Sequence, residues 1–174
     1  VGGNVFPYQD IDYAIELGEK YKGLPINPYC LHVGDVDFGF SSSVTALYVL
    51  ELHTKNQIAR IVGGRKYDKK TSSEIANDIH SLHRQIPHLR WFIDGANRGA
   101  GNECKAVYGE RIDWIKSEDV SPEDNYVNPV SFGKFHKEML EHTYHVITRK
   151  LAIPKEYNTW LLHYEPRGIS DSIY

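Results

Sequence analysis

The sequence predicts a mixed α/β domain: a five-stranded sheet, its second strand antiparallel, flanked by helices. Three observations predict it. Apolar runs at 31–37, 44–52 and 57–63 follow one another across connections too short for a crossover, so they pair antiparallel. An amphipathic segment then separates the third run from a fourth at 88–93, and a strand–helix–strand unit returns parallel. Two of these runs end in carboxylates, in Val33-Gly34-Asp35-Val36-Asp37-Phe38-Gly39 and in Trp91-Phe92-Ile93-Asp94-Gly95.

The elements read in order as follows. Residues 10–21 form a short helix, with Asp10 able to cap it and Ile11, Ala14 and Ile15 on one face. Gly23 to Pro28 is a connector. The three antiparallel strands follow, joined by the small-residue turn Gly39–Ser43 and by Thr54-Lys55-Asn56. Thr71-Ser72-Ser73-Glu74 has the form of a capping box, and Ile75, Ile79, Leu82 and Ile86 then recur at helical spacing up to Pro87. After the fourth strand, the glycine-rich turn 95–101 leads into a helix near 100–109, and Arg111–Ile115 reads as a fifth strand. Lys116 to Val130 reads as an acidic, proline-containing surface loop. A long helix is expected at 131–149, and a possible extra strand at Trp160–Tyr164.

A length of 174 residues suits one domain with a sizeable core, and 41% apolar and 25% charged residues are ordinary for a globular chain. No apolar run approaches the ~20 residues of a membrane span. The start, Val1-Gly2-Gly3-Asn4, lacks Met and lacks a signal-peptide pattern, so a fragment or processed, non-secreted chain is expected. Cys30 and Cys104 stand far apart and form no redox or zinc motif; two reduced cytosolic thiols are expected.

A carboxylate at the end of a buried strand is expensive to desolvate, so a cation or a set of hydrogen bonds is expected to meet it. Asp35 and Asp37 lie on one strand face, because side chains alternate with period two. Either one is a candidate ligand; Asp35 also reads as a group that orients the ligands or pairs with an Arg. Asp94 is a candidate ligand or a helix N-cap. All-oxygen donors without Cys or clustered His suit Mg²⁺ or Mn²⁺ rather than zinc.

Three antiparallel strands followed by helix, strand, helix and strand is also the element order of a ribonuclease-H-like domain, which has strand order 3-2-1-4-5. In that fold the fourth strand lies beside the first, and Asp37 and Asp94 would share neighbouring strand ends. The chain further resembles the nuclease domain of the large subunit of viral DNA-packaging terminases. Asp37-Phe38-Gly39-Phe40 with Val44-Thr45-Ala46, and Ile93-Asp94-Gly95 with its following glycines, carry the resemblance, together with Ser170-Asp171-Ser172. The last match departs from the family's pattern, with Ile169-Ser170 where His-Gly is usual.

The resemblance implies a two-metal endonuclease with Asp37, Asp94 and Asp171 as catalytic ligands of two Mg²⁺ or Mn²⁺ ions and Asp35 as second choice. It implies residues 1–30 as connector helix and linker and 31–174 as the nuclease domain. Its implied partners are double-stranded DNA, a motor domain in the same full-length chain, a portal and a small terminase subunit, in the host cytoplasm. Other ribonuclease-H-like nucleases, such as resolvases and transposases, and a non-catalytic docking module are the alternatives.

A net charge of −3 does not advertise nucleic-acid binding, so a local cluster has to supply it. Arg60, Arg65, Lys66, Lys69 and Lys70 gather around the third strand and its exit, and Arg98 lies in the glycine-rich turn. These are candidate phosphate contacts. The glycine-rich turn is no Walker A loop, because no Gly-Lys-Ser/Thr follows. The nine His residues show no ligand spacing; His80 and His83 read as surface, and His163 as a weak supporting candidate.

Overall fold

The computed structural model describes residues 6–39, 44–86, 89–107, 126–131 and 150–155. The elements are α1 (Tyr8–Tyr21), β1 (Leu31–Asp37), β2 (Thr45–His53), β3 (Ile58–Tyr67), α2 (Ser72–Gln85), β4 (Arg90–Asp94), α3 (Arg98–Val107), β5 (Val127–Val130) and β6 (Leu151–Ala152). The strand order is β5-β4-β1-β2-β3-β6. The connections 38–44 and 54–57 join sheet neighbours without a crossover, so β2 runs antiparallel to β1 and β3. β4 pairs parallel with β1 after the α2 crossover. The expected order 3-2-1-4 therefore holds for the first four strands, with Val127–Val130 (β5) beside β4 and β6 beside β3.

The described residues form two compact units. The larger one takes 26–39, 44–51, 62–86, 89–107 and 126–131. Its core is one cluster. Val36, Leu47, Val49, Trp91 and Ile93 come from the strands; Ile75, Ala76, Ile79, Ala100 and Cys104 come from α2 and α3. Burying an indole such as that of Trp91 contributes roughly 4–6 kcal/mol of transfer free energy. The capping box is present as expected: the Glu74 N–H donates to Thr71 Oγ1 at 3.2 Å, and the Thr71 N–H donates to Glu74 Oε2 at 2.9 Å. Cys104 is a free thiol whose pKa burial pushes up to about 12, with Glu103 adding to it.

The other unit takes 6–25, 52–61 and 150–155. Ile11, Ala14 and Gly18 form the buried face of α1. The Ile153 N–H donates to Ala14 O at 2.9 Å, and a Cβ at Gly18 would fall 2.1 Å from the Ile153 carbonyl carbon. Only a glycine admits that backbone.

The structure corrects two expectations. The stretch 116–130 is not all loop, since Val127–Val130 pairs parallel with β4. Pro129 argues against a strand, but among the described residues β5 is the outermost strand of the sheet, where a missing ladder donor is tolerated. Arg60 is not part of a solvent-facing basic cluster. It is 4% exposed and donates to the carbonyls of Tyr21, the last residue of α1, and of Leu24 and Pro25 just beyond it. The expected strand at Arg111–Ile115, the long helix at 131–149 and the possible strand at Trp160–Tyr164 lie outside the described residues.

Candidate metal centre

The β1–β4 register brings the acids together. Val33 pairs with Arg90, Gly34 with Trp91, Asp35 with Phe92 and Val36 with Ile93. One step further sets Asp37 beside Asp94, where both strands end. Gly34, Val36, Trp91 and Ile93 are buried on the core face. Alternation therefore puts Asp35, Asp37 and Asp94 together on the opposite face. Neighbouring strands are ~4.8 Å apart, within reach of a shared cation.

The carboxylates feel one another. Burial pushes the Asp35 carboxyl up to about 7; the charges of Asp37 and Asp94 add to this, and the Val36 amide opposes it. Asp37 is raised by burial first and by Asp94 second. Water still reaches Asp35 and Asp37, so both stand where solvent enters but protein atoms crowd the group. Three close carboxylates, with Asp35 and Asp37 raised in proton affinity, form a hard-oxygen donor set that fits a divalent cation such as Mg²⁺ or Mn²⁺.

The loops that flank the acids are tied down. After β1, the Gly39 N–H donates to Thr45 Oγ1 at 3.0 Å, and that hydroxyl donates to Gly39 O at 3.2 Å. After β4, the Ala96 N–H donates to Asp94 Oδ1 at 2.9 Å. Asp94 is therefore not the helix cap. Asn97 is, its Oδ1 accepting from the Ala100 N–H at 3.0 Å. Asn97 directly before the helix is the signal in the sequence for this cap.

The raised Asp35 carboxyl has a consequence for stability. A folded-state value above the ordinary 3.8 means that the folded chain holds this proton more tightly. The associated stabilisation is full below about pH 4 and is lost as the pH rises through about 7. Asp35→Asn should therefore raise the melting temperature of the metal-free chain at pH 8 and leave it unchanged at pH 4. Because water reaches the group, the gain is on the order of 1 kcal/mol, or roughly 2–4 °C. Thermal melts at the two pH values check this; an equal gain at both would mean that the charge is not its source.

The basic candidates are placed as follows. Arg65 and Lys66 are exposed near the end of β3, and Lys69 and Lys70 lie in the exposed connection to α2. Arg65 Nη1 donates to Asp78 Oδ2 at 3.1 Å, and Lys70 Nζ donates to Glu74 Oε1 at 3.3 Å. Arg98 is the exposed first residue of α3. Asp171 and His163 lie outside the described residues. The structure adds a buried pair that the sequence does not announce: His32 Nε2 and Glu51 Oε2 are 2.8 Å apart, and Glu51 also accepts from the Asn27 N–H. Only its position on the inward faces of two strands could betray it.

No protein-family model matches this sequence, and no curated protein matches it. Solved structures do match. The large terminase nuclease of thermophilic phage G20c with bound magnesium aligns with a TM-score of 0.68 at 15% identity, covering 100% of this chain and 87% of that one. The chain has the fold of a terminase nuclease domain. The human cytomegalovirus terminase nuclease domain gives a TM-score of 0.54 at 13% identity, with 97% of this chain and 90% of that one covered. The large terminase nuclease domain of bacteriophage SPP1 with bound Mn gives 0.52 at 9% identity, over 83% and 75% of the two chains. What these chains share with this one is the fold, at sequence identities of 9–15%.

Proposed function

We propose that this chain is the nuclease domain of a large terminase, a divalent-metal-dependent endonuclease that cuts double-stranded DNA during viral genome packaging. The observation that carries the reading is the meeting of Asp35, Asp37 and Asp94 on one face at neighbouring strand ends. Magnesium and manganese in the structural neighbours support the choice of cation.

Asp37 and Asp94 would hold the metal, with Asp171 as the third ligand and Asp35 as a group that orients them or takes a ligand's place. When bound, two Mg²⁺ or Mn²⁺ ions supply an acidified water and neutralise charge at the attacking and leaving oxygens. The chain's own part is to hold the carboxylates together and aimed. Arg65, Lys66, Lys69, Lys70 and Arg98 would hold the phosphate backbone. Residues 31–174 would form the nuclease domain and 1–30 its connector. A motor domain in the same polypeptide, a portal and a small terminase subunit would be its partners in the host cytoplasm. Among the described residues no helix is long and apolar enough to cross a membrane.

Supercoiled plasmid incubated with the chain and Mn²⁺ should be nicked and linearised, and EDTA should abolish cleavage. Persistent cleavage in EDTA would sink the metal reading. DNA affinity should be sequence-independent and steeply salt-dependent. Arg65→Ala with Lys66→Ala should weaken binding and lower the slope of log K against log salt by about one for each phosphate that is no longer neutralised. An unchanged slope would assign both residues to ordinary surface.

A further inference from the structure

The turn that carries Asp94 is held from two sides. From within, the Ala96 N–H donates to Asp94 Oδ1 at 2.9 Å, an Asx turn that orients the carboxylate. From outside, the Gly95 N–H donates to Val130 O at 2.8 Å. Val130 is also the β5 residue in register with Asp94. The approach is close. A Cβ at position 95 would lie 3.0 Å from Val130 O, 3.3 Å from its carbonyl carbon and 3.4 Å from its nitrogen. Beyond the turn, Asn97 anchors α3 by accepting from the Ala100 and Gly101 N–H groups, each at 3.0 Å.

We propose that Gly95 is a positioning residue: it lets the edge strand β5 press on the turn and so fixes the direction in which Asp94 offers its carboxylate to the metal. The inference rests on the reading that Asp94 holds metal. The turn has little slack, because Asp94 is followed at once by a residue whose amide is committed to β5 and then by one whose amide is committed to Asp94 itself. A side chain at position 95 must push β5 away or tilt the turn. Either change alters the carboxylate's aim, whereas β5 enters the core cluster through Val127, three residues before Val130. A glycine needed only for folding would instead act through stability and leave metal affinity alone.

The test compares Gly95→Ala and Gly95→Val with the unaltered chain. Mn²⁺ binding is measured by calorimetry, plasmid cleavage is followed across Mn²⁺ concentration, and urea melts monitor folding. Gly95→Ala should weaken Mn²⁺ binding about tenfold and Gly95→Val more, within the 10–100-fold range of groups that orient a metal ligand. Cleavage should fall at limiting Mn²⁺ and recover at saturating Mn²⁺. A second measurement needs no variant. If the latch and the metal are coupled, the coupling is reciprocal, so Mg²⁺ should slow hydrogen exchange at the Gly95 amide. Unchanged Mn²⁺ affinity in the folded variants, or Gly95 exchange indifferent to Mg²⁺, would overturn the proposal while leaving the metal site intact. An unaltered chain that binds no Mn²⁺ would overturn both.

Discussion

Asp37→Asn and Asp94→Asn should each lower plasmid cleavage by about three orders of magnitude or more while the chain stays folded. Each change keeps the side chain's size and removes the charge that neutralises a divalent cation. The several kcal/mol of charge stabilisation at stake correspond to that loss of rate. Stability should move the other way. Asp37 is raised first by burial and then by the Asp94 charge, so either substitution relieves a repulsion in the metal-free chain. Loss of activity with a raised melting temperature is the combination expected of a functional acid and not of a structural one. Asp35→Asn should cost less, about 10–100-fold, if Asp35 orients the ligands. A dead Asp35→Asn beside an active Asp37→Asn would move the principal ligand two residues back along β1. The measurement is plasmid cleavage by each purified variant beside its melting curve.

Gly34→Ala should destabilise the chain by about 2–3 kcal/mol, the upper part of the range for overpacking a filled core. Gly34 stands in register with Trp91. A Cβ there would lie 2.2 Å from Trp91 Cε3 and 2.4 Å from Cζ3. Trp91 is fully buried, so its ring has nowhere to retreat. The absent side chain lets the indole lie against β1 on the core face, three residues before the strand ends that carry the acids. Gly63→Ala is the control. Its added Cβ would meet only Val49, at 3.8 Å, an ordinary contact. That variant should be neutral or slightly stabilising, because Ala costs less backbone entropy than Gly. Urea melts of the two variants check the contrast; equal midpoints would remove the packing role given to Gly34.

Much of this architecture is legible in the sequence, and the gaps have physical causes. The span of β1 reads as it is found, because alternation and the flanking turns are both strong signals. α2 is legible from its capping box, which the structure forms in full. β3 runs on to Tyr67, beyond the expected end at 63, because Gly63-Gly64 reads as a breaker while its ladder continues. α3 begins at Arg98 instead of near 100, since Gly99 and Gly101 hide a helix that Asn97 caps. β5 is hidden by Pro129, which is acceptable at an edge, and β6 is too short to show any period. Among the acids, the shared face of Asp35 and Asp37 follows from period two alone. Their meeting with Asp94 depends on the β1–β4 register, which the order of elements suggests but only the pairing fixes. The inward Arg60 and the His32–Glu51 pair stay hidden because their partners, the Tyr21 carbonyl and the Asn27 amide among them, are backbone groups that sequence does not display.

On the proposed function, Asp37 and Asp94 are brought together to hold a catalytic cation. Crystals of the chain soaked in Mn²⁺ and measured at the manganese absorption edge test it most directly. Anomalous density between the carboxylates of Asp37 and Asp94, absent from crystals of Asp94→Asn soaked alike, is the result predicted. Manganese bound elsewhere, or no manganese at these strand ends at millimolar concentration, would contradict it.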